Sequence, residues 1–314
     1  MATRRPSPDE SERYHGILNL DKPRDWTSHD VVAKVRRILG QRSVGHAGTL
    51  DPLATGVLLV CVGRATRVAE YLMAGQKVYR AVARLGATTT TYDSQGELIA
   101  EARIPELSRQ GVLAALARYV GDIQQTPPAY SAVKQDGVPA YRKARKGETV
   151  ELAPRPVTIH RIDLLSWSAP HLTIEVTCSP GTYIRSLVHD LGQDFGCGAI
   201  LIQLTRLRSG QFSLEDAIDL DELAAAAQSG QVKRVLQPLE AALGDLERVD
   251  VDAEAVARLA VGQPIACPTP PTTSAGYART SEGVVAAILA YDGNRQQWRP
   301  NKVFVADDRR MTGG

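Results

Sequence analysis

No apolar run in this 314-residue chain approaches the roughly 18 residues that a membrane-crossing helix needs. A function built on membrane insertion is therefore excluded. The first ten residues, Met1 to Glu10, contain no apolar core of a signal peptide, and 1–13 reads as a disordered lead-in. Only four cysteines occur, Cys61, Cys178, Cys197 and Cys267, and none forms a Cys-x-x-Cys pair. That spacing argues against a zinc knuckle or a disulfide framework and for free thiols in a reducing cytoplasm. Net charge is nearly absent as well, at +2, so no overall field points to a partner. Internal repeats are lacking. What remains is an ordinary globular composition, 43% hydrophobic and 23% charged, with length for about two domains.

Periodicity supplies the elements. Gly16–Leu20 is a short apolar strand, and a helix follows from Ser28 to Leu39. Thr27 caps it with Asp30 as acidic partner, Val31, Val32, Val35, Ile38 and Leu39 share one face, and Gly40 stops it. A buried strand is expected at 57–62, a helix from Ala65 to Met73, and a strand from Lys77 to Leu85. In the last, Tyr79, Ala81, Ala83 and Leu85 face one way, Arg80 and Arg84 the other. A helix over about 108–120, strands at 157–165 and 171–178, and a helix from near Gly181 to Leu191 complete the body. Strands and helices mix without regular βαβ units, so the fold class expected is α+β with a mixed sheet.

Two segments differ from this body. Over about 126–156, Lys134, Arg142, Lys143, Arg145, Lys146 and Arg155 stand against Asp136, Glu148 and Glu151, with Tyr130 and Tyr141 interleaved. This local excess of three cations exceeds the net charge of the whole chain. The strip is a candidate nucleic-acid contact, although a solvated excursion has the same composition. Beyond it, 247–308 combines a helix near Ala253–Ala260, a loop rich in Pro, Thr and Ser at 268–274, and short strands at 283–291 and 302–306 around Asp292-Gly293-Asn294. It reads as a small β-rich domain appended to a body at 14–246, with a tail at 309–314.

The chemistry centres on Gly45-His46-Ala47-Gly48-Thr49-Leu50-Asp51-Pro52-Leu53-Ala54-Thr55-Gly56. A lone Asp-Pro is ordinarily a turn. Here three glycines allow close approach of the backbone to a ligand, and an apolar strand follows at once. The acid can thus be held rigid and partly desolvated, as a nucleophile needs. His46 can donate a hydrogen bond, and no second carboxylate lies near in the chain, which excludes a metal reading. A second block, Cys178-Ser179-Pro180-Gly181-Thr182-Tyr183-Ile184-Arg185, ends a strand and opens a helix. Arg185, about one turn in, can pair with a buried carboxylate, although a surface ion pair is the commoner fate. Tyr79 and Tyr183 are by default core tyrosines.

These blocks, with Leu20-Asp21-Lys22-Pro23, Lys77-Val78-Tyr79, Pro127-Pro128-Ala129-Tyr130-Ser131-Ala132-Val133-Lys134 and Leu204-Thr205-Arg206-Leu207-Arg208-Ser209-Gly210, resemble the bacterial tRNA pseudouridine-55 synthases, the pseudouridine synthase B family. The resemblance covers about 14–306. It implies conversion of a uridine in the T-loop of tRNA to pseudouridine after base flipping. It implies Asp51 as the catalytic aspartate, Tyr79 as the residue stacked on the base, and Arg185 as the partner of Asp51. His46, Tyr183 and Leu204 would contact the flipped nucleotide or shape its pocket, and Lys22 would serve as a structural or RNA contact. It further implies that 126–156 grips the RNA and that 247–308 is a PUA-like barrel. Isomerisation needs no cofactor or metal. A cytoplasmic monomer acting on tRNA without a protein partner is expected. An RNA chaperone, or the catalytic subunit of a guide-RNA particle, would share many of these features.

Overall fold

The computed structural model describes residues 13–305 except 132, 136, 145, 147 and 149. The lead-in expected over 1–13, apart from Arg13, lies outside the described residues, as do the tail at 309–314 and two charges of the basic strip, Arg145 and Asp136. Among the described residues, a nine-stranded mixed sheet forms the body. Its main path runs Gly16–Lys22, Ala54–Val62, Ala199–Ser209, Lys77–Leu85, His171–Cys178, Arg155–Ser168 and Gly121–Gln125. Neighbours along this path are antiparallel except Ala54–Val62 with Ala199–Ser209, which run parallel through Leu204 to Ala54 and Arg206 to Gly56. The observed architecture is the α+β, mixed-sheet class read from the sequence.

Two helices brace the part of the sheet that carries the site. Ser28–Leu39 opens as expected: Thr27 Oγ1 accepts from the Asp30 amide at 3.1 Å, and Asp30 Oδ2 accepts from the Thr27 amide at 2.9 Å. Such a cap contributes about 1 kcal/mol. Gly40, at φ 63°, ends the helix in the left-handed conformation that a side chain resists. The second helix is Ile184–Asp194, with Ile184, Leu187, Val188 and Leu191 buried against the sheet. Its first turn has no side-chain cap of its own. Gln125 replaces one, accepting from the Tyr183 amide at 2.7 Å and donating to the Tyr183 carbonyl at 3.0 Å.

Several boundaries move, each for a long-range reason. The strand expected at 57–62 begins at Ala54, because Ala54, Thr55 and Gly56 pair with Leu204–Arg206. The helix expected over Ala65–Met73 is a 3-10 turn, Gly63–Val68, followed by a short α-helix, Ala69–Ala74. The helix expected near Gly181 starts at Ile184, which places Arg185 second in its first turn, not one turn in. The closing strand expected at 302–306 is Gln297–Val303, drawn back by pairing with Val285–Asp292.

A five-stranded sheet follows in the order Glu247–Val251, Ala275–Thr280, Val285–Asp292, Gln297–Val303 and Ile265–Ala266, with the helix Ala253–Ala260 packed on it. Its Tyr277, Val285, Ile288 and Phe304 enter one apolar cluster with Ile17, Val57, Leu59 and Cys61 of the main sheet. Arg279 and Tyr277 both reach Glu240, and Arg67 donates to the Val303 carbonyl at 2.6 Å.

Candidate active site

The Asp51 loop is tied down at almost every residue. The Ser28 hydroxyl accepts from the Leu50 amide at 2.9 Å and lies 3.1 Å from the Leu50 carbonyl. The Pro52 carbonyl accepts from the Asp25 amide at 2.8 Å, and the Asp51 carbonyl accepts from Ala54 at 3.0 Å. Lys22, fully buried, donates to the carbonyls of Pro23, Trp26 and Pro52. Burial lowers its pKa to about 8, against the partial support of Asp51. Its ammonium thus ties the carbonyls of Pro23 and Trp26 to that of Pro52 in the loop.

Asp51 and Arg185, 134 residues apart, meet in a fork. Arg185 Nε donates to Oδ2 at 2.8 Å and Nη2 to Oδ1 at 3.0 Å. Two further donors are also spoken for: Nη1 reaches the Thr91 carbonyl and Nη2 the Tyr130 carbonyl, each at 3.0 Å. The guanidinium is therefore fixed in orientation, and with it the carboxylate. The Arg185 side chain is 4% exposed and Asp51 33%, so the acid keeps one open side towards an incoming ligand. This geometry aims one carboxylate.

A second carboxylate is present that the chain order conceals. Asp93 lies 3.8 Å from Arg185 Nε, with its side chain 6% exposed. Its Oδ1 is held by the Thr91 hydroxyl at 2.6 Å and the Gln95 amide at 3.0 Å. The preceding Tyr92, at φ 64°, stacks on His189 of the Arg185 helix with ring centroids 3.8 Å apart. The polar turn Thr89-Thr90-Thr91-Tyr92-Asp93 is the signal that could have marked it.

Tyr79 is 9% exposed, and burial raises its pKa, with the charge of Asp51 adding to the rise. Tyr183, half-buried, is raised by burial too and also feels Asp51. Leu204 is buried opposite Ala54 and Ala81. Tyr79, Tyr183 and Lys22 thus all feel the charge of Asp51, and Leu204 lies opposite the start of the strand that follows it. His46 stands apart. It meets His29 edge-on at 5.3 Å, and its Nδ1 is buried without a hydrogen-bond partner among the described residues, so the expected donation is not seen. Burial, with His29 nearby, lowers its pKa to about 4, which keeps the ring neutral.

Sequence reasoning passed over Arg206 as well. It is 1% exposed and donates to the carbonyls of Val57 at 2.7 Å, Gly48 at 3.2 Å and Thr49 at 3.4 Å. It also explains one loop glycine differently from the expected approach to a ligand. A Cβ on Gly56, at φ 95°, would stand 2.3 Å from the Arg206 carbonyl oxygen. The space beside Gly56 is filled by the protein itself.

An oriented, partly desolvated carboxylate with a fixed cation behind it is an arrangement that suits a nucleophile. Comparison with known proteins makes the class specific. Residues 36–184 match the TruB family pseudouridylate synthase N-terminal domain, and 185–244 match the tRNA pseudouridylate synthase B C-terminal domain. The tRNA pseudouridine synthase B of Dehalococcoides mccartyi is 44% identical over 290 residues, which cover 92% of this chain and 96% of that one. Its counterpart in Cupriavidus metallidurans is 44% identical over 281 residues, 89% of this chain and 88% of that one. Among solved structures, one of a Cbf5-Nop10-Gar1 complex aligns with TM-score 0.74 and 28% identity over 96% of this chain and 88% of the other. One of an H/ACA RNP bound to a substrate RNA containing 2′-deoxyuridine aligns with TM-score 0.72 and 26% identity, covering 94% and 86%. The chain belongs to the TruB family of pseudouridylate synthases.

Proposed function

We propose that the chain isomerises the uridine at position 55 in the T-loop of tRNA to pseudouridine, with Asp51 as nucleophile. Conversion of uridine to pseudouridine in tRNA is the activity of its family. The assignment to position 55, the roles of individual residues and action without a guide RNA or a protein partner are our reading. The observation that carries it is the two-pronged Asp51–Arg185 contact, with Asp51 still open on one side.

Isomerisation breaks the N1–C1′ bond and makes a C5–C1′ bond. C5 loses one proton and N1 gains one, so no oxidant, reductant or hydrolytic water is consumed. The required parts are a carboxylate for the sugar or the base, a surface for the detached ring, and a base for the C5 proton. Asp51 supplies the first, starting by attack on C1′ or C6 or by promoting a glycal. Tyr79 supplies the second, since stacking on an aromatic is worth about 1–3 kcal/mol per base and offsets much of the cost of flipping. Its phenol, once it has released its own proton to solvent, accepts the C5 proton as the phenolate. Arg185 fixes the direction of the Asp51 carboxylate through its two-pronged grip, and Tyr183 and Leu204 shape the pocket. His46, neutral and packed edge-on against His29, supports the 45–56 loop beside the pocket. The basic residues of 126–156, and the five-stranded sheet acting as a PUA-like module, grip the RNA outside the pocket.

The chain is closer to relatives named as tRNA pseudouridine synthases, at 44% identity, than to the Cbf5 structures at 26–28%. That difference favours a tRNA enzyme over the guide-RNA reading. The test is to incubate the purified chain with unmodified tRNA and map pseudouridine, using Asp51→Asn as control. Product at position 55 from the wild type alone is expected. No product, or equal product from both, overturns the reading. A chaperone role without catalysis would leave tRNA folding intact and product absent in both.

A further inference from the structure

Arg206 lies in the strand Ala199–Ser209, directly opposite Tyr79 in the neighbouring strand Lys77–Leu85 and Gly56 in Ala54–Val62. Residues opposite each other across strands project to the same face. The Arg206 side chain is almost completely buried, yet among the described residues no carboxylate pairs with it. Its partners on the Asp51 side are three neutral carbonyls, of Gly48, Thr49 and Val57. A buried cation without a counter-charge is costly unless something compensates it. Facing it from the other strand is the Tyr79 hydroxyl, and Arg206 opposes the pull of burial on that phenol, by charge and by side-chain hydrogen bonding. Of the groups packed around Tyr79, Asp51 and Cys178 act against an anion there and Arg206 acts for it.

We propose that Arg206 is a positioning residue that links the Asp51 loop to Tyr79 and stabilises the Tyr79 phenolate that removes the C5 proton of the rearranged base. The inference rests on the reading of Tyr79 as proton acceptor given above. Tyr79 first releases its proton to solvent. After the C5–C1′ bond has formed, the C5 proton passes to the phenolate oxygen. The C–H electron pair becomes the C5–C6 double bond, the C6–N1 π pair moves to N1, and N1 takes a proton from solvent. Charge and atoms balance, and the anion that appears on Tyr79 in each cycle is the one Arg206 otherwise lacks.

The experiment measures single-turnover rates against pH for the wild type, Arg206→Lys, Tyr79→Phe and the double variant, with KM and thermal melting alongside. Arg206→Lys keeps the charge and loses the fork, so a drop in kcat of about 10- to 100-fold is expected, the range of one hydrogen bond to a charged group. KM stays within a few-fold. The limb of the profile that rises with pH moves to higher pH, because the phenolate has lost part of its support. The double variant is no slower than Tyr79→Phe, since Arg206 acts through the hydroxyl. Equal losses from Arg206→Lys in both backgrounds, or an unmoved limb, overturn the proposal. Full activity of Tyr79→Phe instead overturns the underlying role of Tyr79, so the two failures are distinct. Should no Arg206 variant fold, fluorotyrosine at position 79 is incorporated with Arg206 intact. Its more acidic phenol must then shift the limb to lower pH, and an unshifted limb overturns the proposal equally.

Discussion

Arg185→Lys tests how much of the site depends on the fork and how much on a positive charge alone. The guanidinium makes four hydrogen bonds, two to Asp51 and one each to the carbonyls of Thr91 and Tyr130. An ammonium on a shorter, more flexible stem can keep a point charge near Asp51, but it cannot hold both carboxylate oxygens and both carbonyls. The structure therefore forecasts the loss of at least one bond to a charged group, about 1.5–3 kcal/mol. Asp51 is one-third exposed, and water compensates part of this in the resting enzyme. The loss falls on the aim of the carboxylate during reaction, so kcat should drop about 10- to 100-fold with KM nearly unchanged. Turnover can be counted from tRNA tritiated at uridine C5, because each isomerisation releases that hydrogen to solvent. Melting should fall modestly, and in an Asp51→Asn background Arg185→Lys should destabilise less, as the paired charge is gone. Wild-type kcat in a folded Arg185→Lys chain would refute the reasoning, because it would show that orientation of Asp51 does not limit the reaction.

Three further outcomes follow from the geometry. Gly56→Ala places a Cβ 2.3 Å from the Arg206 carbonyl oxygen at φ 95°, and should destabilise the fold by about 2 kcal/mol or more, read from chemical denaturation. Lys22 has its pKa lowered from 10.5 to about 8 by burial, so the unfolded chain binds the extra proton between those values. Stability contributed by this group should rise with pH across that window, and Lys22→Met should remove one proton's worth of the slope. Lys77, lowered likewise to about 8, supplies a parallel slope that remains. Phe304→Ala opens the apolar cluster shared by the two sheets and should cost about 3 kcal/mol, with both sheets still melting in one transition; two separate transitions would contradict a shared core.

What the sequence revealed and what it concealed divide along contact distance. The capped helix at Ser28–Leu39 was legible because its signals lie within a few residues of one another. Tyr79 and its strand were legible from strict alternation. The Asp51 loop stood out because its glycines and proline are local too. Arg185 was picked out as a cation at a helix start; its own surroundings in the chain left a surface ion pair open, the resemblance implied Asp51 as partner, and the fold brings the two together. Asp93 and Arg206 had no local mark of comparable strength. Asp93 becomes a neighbour of Arg185 only through the turn that Tyr92 and His189 hold. Arg206 acquires its partners from a parallel pairing between segments 150 residues apart. The glycines were recognised as special, yet at Gly56 the cause was assigned to a ligand when it was the Arg206 strand.

The strand after Asp51 has a consequence for how this enzyme can be dismantled. Leu58, Val60 and Val62 face the core of the main body, while Val57, Leu59 and Cys61 face the cluster that Tyr277, Ile288 and Phe304 complete. One side of the strand that follows Asp51 is thus roofed by the five-stranded sheet. That sheet looks like a detachable accessory, but removing it would lay bare an apolar stripe on the strand that continues the Asp51 loop. A shortened chain ending before Glu247 should therefore be sticky and poorly folded even for minimal substrates that never touch the missing part. For this architecture, loss of the accessory and loss of the fold beside Asp51 are a single event, and the appended sheet cannot be exchanged without redesigning the face it covers.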